Sequence, residues 1–279
     1  MAARNISVKR VWNSRQNKAG QIFDIPPDDS LARIVLPDEV DPYTCDSTQK
    51  FPLGTRLSCY GGQEVYRYAL EGGAGLEVGA LVQALVPLAG HINEVCGSES
   101  VGDTVIAFTP NTQTTDDLAA NELAGGYIFI YDGAGEGYKY RVATHAAIVG
   151  GVSGDLTLYD PIKVATAGLV ATVIHNPYYK FLIHPSPPTA IPLGWTVTAV
   201  TASYYTWLQT HGPCCALIDG TAVMGTHVRP SEDDDGAVAA MDFDEADDAN
   251  HGVVGWCMEI GADAGGGAAT FGFVFATIE

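Results

Sequence analysis

The chain has 279 residues, with 32 Gly, 15 Pro, 14 Lys plus Arg and 33 Asp plus Glu, for a formal charge of -19. Apolar residues make up 47% and charged residues only 17%, which excludes a disordered chain and a Lys- and Glu-rich coiled coil. No apolar run approaches the roughly 18 residues of a membrane span, the N-terminus lacks the apolar block of a signal peptide, and the acidic balance speaks against a nucleic-acid-binding body.

The charge is unevenly placed. Arg4, Lys9, Arg10, Arg15 and Lys18 precede the first acid, Asp24, so the opening segment is a basic arm on an acidic remainder. It also carries Ile6, Val8, Val11 and Trp12. A solvated tail has little use for a Trp and three aliphatics, so the arm reads as a docking segment for an acidic protein surface, with DNA the weaker choice because the body would repel it. Residues 21–50 hold four Pro and no helical period, and read as an extended connector. Residues 1–50 are therefore expected to be an extended arm.

From Phe51 onward, short runs of β-branched and aromatic residues alternate with Gly, Asp and Asn. Strands are predicted at 65–70, 76–86, 104–108, 127–131, 138–143, 171–174, 179–184, 196–208, 222–228, 253–260 and 270–278. Asp132-Gly133 opens a DGAGEG loop between two strands, a hairpin signal because such turn positions tolerate positive φ. One short helix is predicted near 115–123 (TDDLAANEL), with acids in its first turn. The expected class is all-β: a body of short strands forming a β-sandwich or β-barrel, with little helix. The run 185–192 (PSPPTAIP) divides it into lobes at 51–184 and 193–279; a linker between two β-domains and a long crossover within one sandwich would look the same.

No catalytic or cofactor motif stands out: there is no GxSxG, HExxH or P-loop. Gly133, Gly135 and Gly137 lead into a strand, so they offer no helix N-terminus to a phosphate. None of the six Cys forms a C-x-x-C pair, which argues against zinc. The Cys read as buried free thiols, with Cys45 and Cys59 the one pair that could oxidise. Adjacent Cys214 and Cys215 should point to opposite faces of a strand. His175, His184 and His211 read as turn or loop histidines. Between 232 and 248 nine of seventeen positions are acidic; Asp242, Asp244 and Asp247 could present oxygens to Ca²⁺, but the stretch lacks the Gly and terminal Glu of an EF-hand loop and reads as a solvated loop without metal. Tyr204, Tyr205 and Trp207 mark an aromatic run in which Tyr205 and Trp207 share a face. Such alternation usually marks a core face plus one exposed aromatic; the three are also candidates for an oligomer interface or a sugar platform.

The segments 51–84 (with LGT, YRYA and GALVQA) and 198–225 (with LQTHG and GTAVMG), followed by Asp235-Gly236-Ala237-Val238 and Val254-Gly255, resemble phage head decoration, or capsid cement, proteins. The resemblance implies a non-enzymatic structural protein without cofactor, made in the host cytoplasm and carried on the outer surface of the virion. There it would bind the major capsid protein lattice and stabilise the head, commonly as a homotrimer. Joined to the arm, it makes Arg4, Lys9, Arg10, Trp12, Arg15 and Lys18 the expected capsid-binding residues and Tyr204, Tyr205 and Trp207 the expected oligomer interface. The alternative function is a head-fibre or tail adhesin that binds surface carbohydrate.

Overall fold

In a computed structural model of the chain, described for residues 13–26, 36–241, 252–260 and 269–279, the alternating runs become strands and no α-helix occurs among the described residues. In chain order the strands are β1 (Asn13–Gln16), β2 (Ile22–Ile25), β3 (Cys45–Asp46), β4 (Arg56–Cys59), β5 (Glu64–Leu70), β6 (Leu81–Gln83), β7 (Glu94–Cys96), β8 (Val105–Thr109), β9 (Tyr127–Ala134) and β10 (Lys139–His145). They continue with β11 (Gly154–Leu158), β12 (Ala167–Ile174), β13 (Leu182–Ile183), β14 (Pro192–Thr196), β15 (Tyr205–Ile218), β16 (His227–Pro230), β17 (Val238–Ala240), β18 (Gly255–Glu259) and β19 (Thr270–Thr277). The all-β expectation holds. Two compact units form: Pro87–Pro177 is one, and the described residues of 13–26, 36–86 and 178–279 are the other.

The first unit is a closed six-stranded barrel in the order β10-β11-β8-β7-β12-β9, with every pairing antiparallel. Alternation sends Ile106, Phe108, Ile128, Ile130, Tyr140, Val142, Leu156 and Val173 inward to a continuous apolar core. The β9–β10 hairpin forms where the DGAGEG loop predicts it, and Gly133, Gly135 and Gly137 all take positive φ. The helix expected at 115–123 does not form; a single 3₁₀ turn at Thr114–Asp116 overlaps its start. Its backbone donors are taken by distant partners: Leu118 N–H bonds the Ile148 carbonyl and Leu123 N–H bonds His145. A helix would need those same groups.

The second unit is built on β15. Over its first half β15 pairs with β5, and over its second half with β19, from His211↔Thr277 to Ile218↔Thr270. The switch needs a bend, supplied by a register shift at Gln209/His211 and by Gly212 at φ +94, where a Cβ would collide with the Gln63 backbone. Beyond the bend, β15, β17, β16, β18 and β19 close a small five-stranded barrel. Its interior is narrow and filled by Cys214, Ala216, Ile218, Val228, Val238, Cys257, Val274 and Ala276. On the other side of β15 the sheet runs out through β5, β4, β2 and β1 over a cluster of Phe23, Phe51, Tyr66, Tyr68 and Trp207. Glu279 fastens the two parts: its carboxylate accepts from Arg67 Nε at 2.9 Å, from Thr210 Oγ1 at 3.0 Å and from Arg56 Nε at 3.3 Å.

Three expectations change. Residues 13–25 are not a free arm but a β-hairpin, β1–β2, stitched to β4, with Phe23 fully buried; Arg15 and Lys18 therefore sit on the body. The packing boundary does not fall at 185–192. That run links β13 and β14, which both pair with β6, so it is a crossover within the second unit. The acidic stretch 232–248 is also not one solvated loop, because 236–239 are buried and 238–240 form β17, paired with β15 and β16. Asp242, Asp244 and Asp247 lie outside the described residues.

Candidate functional site: an aromatic barrel face

β18 and β19 invert the usual arrangement of a half-buried strand. In β19 (TFGFVFAT) Gly272, Val274 and Ala276 point inward, while Phe271, Phe273 and Phe275 point outward. In β18 (GWCME) Gly255 and Cys257 point inward, and Trp256 and Met258 outward. The interior dictates this. A Cβ on Gly255 would stand 2.5 Å from the Phe275 carbonyl oxygen, and one on Gly272 would stand 2.8 Å from the Glu259 carbonyl oxygen. A five-stranded barrel that already holds Ile218, Val228, Val238 and Val274 leaves no room inside for the aromatic rings of β18 and β19, so these go out.

The register joins these side chains into one surface. Trp256 lies opposite Phe275, Phe273 opposite the exposed thiol of Cys215, and Phe271 opposite Leu217. The His227 and Trp256 rings lie 3.8 Å apart between centroids, and the His211 ring meets Phe275 edge-on at 5.3 Å. Loop 221–226 follows β18 through the Gly225 N–H to Cys257 carbonyl bond of 2.7 Å and brings exposed Val223 and Met224 to that edge. Trp256 and Met258 are each 43% exposed, Phe271 51% and Phe273 36%. With about 200 Å² for each large side chain and Val223 and Met224 counted, the face shows roughly 500 Å² of apolar surface, the size of a monomer's largest patch, which is often a functional surface. It offers hydrophobic and π contact and one accessible thiol. The neighbouring Cys214 faces inward as the alternation predicts, and burial pushes its thiol well up.

The residues singled out in the sequence fall elsewhere. Tyr205 and Trp207 do share a face, but it is an inner one: Trp207 is 2% exposed, with ring centroids 5.0 Å from Tyr68 and 5.3 Å from Phe51. Tyr205 stacks on Tyr68 at 5.8 Å and, like Tyr204, is half-buried. A cleft of about 470 Å³ opens beside this cluster, lined by Val40, Asp41, Asp46 and Lys50 together with Phe51, Tyr68 and Trp207 themselves; the Trp207 indole forms part of its wall while most of the ring is packed into the core. Arg15 and Lys18 are exposed, with Lys18 paired to Asp38 at 2.8 Å. Arg4, Lys9, Arg10 and Trp12 lie outside the described residues. The six cysteines are free, Cys45 and Cys59 included. No three His, Cys, Asp or Glu among the described residues converge as metal ligands. The aromatic face was legible in principle as F-x-F-x-F beside W-x-M, but the order of apolar residues alone does not say which face is the inner one. Comparison with protein-family models, with curated proteins and with solved structures found no match.

Proposed function

We propose that the chain is a structural docking protein of the capsid decoration type, which binds the major capsid protein lattice on the outer surface of a phage head and stabilises it. The observation that carries this reading is the outward aromatic face of β18 and β19 on a closed barrel. Large side chains on a rigid frame lose little freedom on binding, which suits attachment to a repeating lattice. Burying roughly 500 Å² is worth about 12 kcal/mol gross, comparable with the roughly 4–15 kcal/mol cost of association. One face therefore supports a weak contact and needs reinforcement. The basic segment before residue 13 supplies it by attraction to an acidic shell, and assembly as a homotrimer multiplies the contacts.

The test is to mix the protein with heads assembled without it and to measure co-sedimentation. The Trp256→Ser/Phe273→Ser variant, with its circular dichroism spectrum unchanged, should lose binding at least tenfold. Deletion of residues 2–12, which spares β1, should weaken binding most at low salt. Wild-type decoration by the double variant would overturn the reading.

A further inference from the structure

The end of the first barrel where β10 and β12 finish holds three buried histidines, His91, His145 and His175, together with Asp116 and Glu122. The face of the second barrel makes no use of them. His145, the last residue of β10, fastens the turn at 119–124 by three bonds. Its backbone N–H donates to Asn121 Oδ1 at 3.1 Å, and its carbonyl accepts from Asn121 N–H at 3.0 Å. Its ring Nε2 accepts from Leu123 N–H at 2.9 Å. A nitrogen that accepts a backbone N–H carries no proton, so the ring proton is on Nδ1, which donates to the Ala146 carbonyl at 2.6 Å.

Both ring nitrogens are thus satisfied only in the neutral tautomer. A proton added at Nε2 would face the Leu123 N–H, donor against donor, and the bond would be lost. Leu123 is fully buried in the barrel core, as is Leu118, held on Ile148, so this turn plugs the barrel end. We infer that His145 is a proton-operated latch: mild acid breaks its bond to Leu123 and frees the 119–124 turn from the end of the first barrel. This inference stands apart from the docking function.

The charged surroundings set its range. On the turn itself, Glu122 favours a cation at His145. His175, just past β12, opposes it; its own Nε2 lies 3.7 Å from Glu122 Oε1, and its ring centroid is 5.9 Å from that of His91. His91, in the turn before β7, bonds the Asp116 carbonyl at 2.9 Å, and Asp117 accepts from Gly150 N–H at 2.7 Å. Burial is the largest influence and holds His145 below the ordinary histidine range, with Ala146 and Glu122 acting the other way. A depressed folded-state value means that the latch is fully engaged above about pH 6.5, the ordinary value. It weakens as pH falls from there toward the folded value, because only the released form takes up the proton.

Hydrogen exchange at the Leu123 amide of the full chain, corrected for the intrinsic rate, tests this. Opening should rise about tenfold per pH unit below about 6.5. His145→Gln, which can accept from Leu123 but cannot titrate, should flatten that dependence, and His175→Gln should keep it. Ring ¹⁵N shifts of the wild-type protein decide the matter without any variant: the Nδ1–H tautomer is expected, with a midpoint below about 6.5. An Nε2–H tautomer, a midpoint at or above that value, or pH-independent exchange at Leu123 would overturn the latch.

Discussion

Replacing Glu279 by Gln removes one charge and leaves the shape. Its carboxylate meets Arg67 through two nitrogens, one of them at 2.9 Å, with Thr210 and Arg56 completing the set. The Arg67 and Glu279 side chains are 16% and 29% exposed, so this is a partly buried bidentate pair. A hydrogen bond to a charged group contributes about 1.5–3 kcal/mol. Gln keeps an acceptor but turns an amide toward a guanidinium, so the expected loss is about 2 kcal/mol at pH 7, or roughly 4–8 °C in the melting temperature of a unit this size. Burial alone would raise the Glu279 carboxyl, but hydrogen bonds and charge from Arg67, then Thr210 and Arg56, hold it below the usual range. A lowered folded-state value contributes stability that is complete above the unfolded value of about 4.3 and lost as pH falls through the folded one. Thermal melts of wild type and Glu279→Gln should therefore differ most at neutral pH and converge below about pH 4. Equal melting temperatures at pH 7, or a gap that persists undiminished to pH 3, would refute the reasoning.

Gly272→Ala places a methyl against the Glu259 carbonyl and the Ile218 side chain, and should cost about 1–3 kcal/mol in urea unfolding; an unchanged midpoint would mean that the barrel interior has more room than its glycines indicate. Iodoacetamide should alkylate exposed Cys215 well before Cys214, whose buried thiol is pushed far up; peptide mass mapping that finds the two equally fast would contradict the facing of β15.

The strands that could be read in advance have strong local signals. β5 and the β9–β10 hairpin are compact runs of β-branched and aromatic residues bounded by their own turn glycines. What escaped reading depends on partners far along the chain. For Trp207 the alternation allows a core face as well as an outer one, and only Phe23 and Phe51, far along the chain, decide it by covering the ring. The 115–123 segment looks helical until His145 and Ile148 claim its amides. β2 sits in a Pro-rich setting that reads as connector, yet Phe23 belongs to the core. The face of β19 escaped for a different reason: both of its faces are apolar, and the diameter of the barrel, a property of five strands at once, decides which of them turns outward.

The join between the two units follows from one pairing. β6 ends at Gln83 and β13 begins at Leu182, and these two residues are partners in the sheet, so the chain leaves for the first barrel and comes back about 4.8 Å away. To the host sheet, the whole guest barrel is a loop. The cost of closing such a loop grows only with the logarithm of its length, so the host's register is nearly indifferent to what it carries. A short turn joining β6 to β13 would make them an ordinary hairpin. The strands that close the barrel bearing the aromatic face, β15 to β19, all come after that return, so its pairings are made without any strand of the guest.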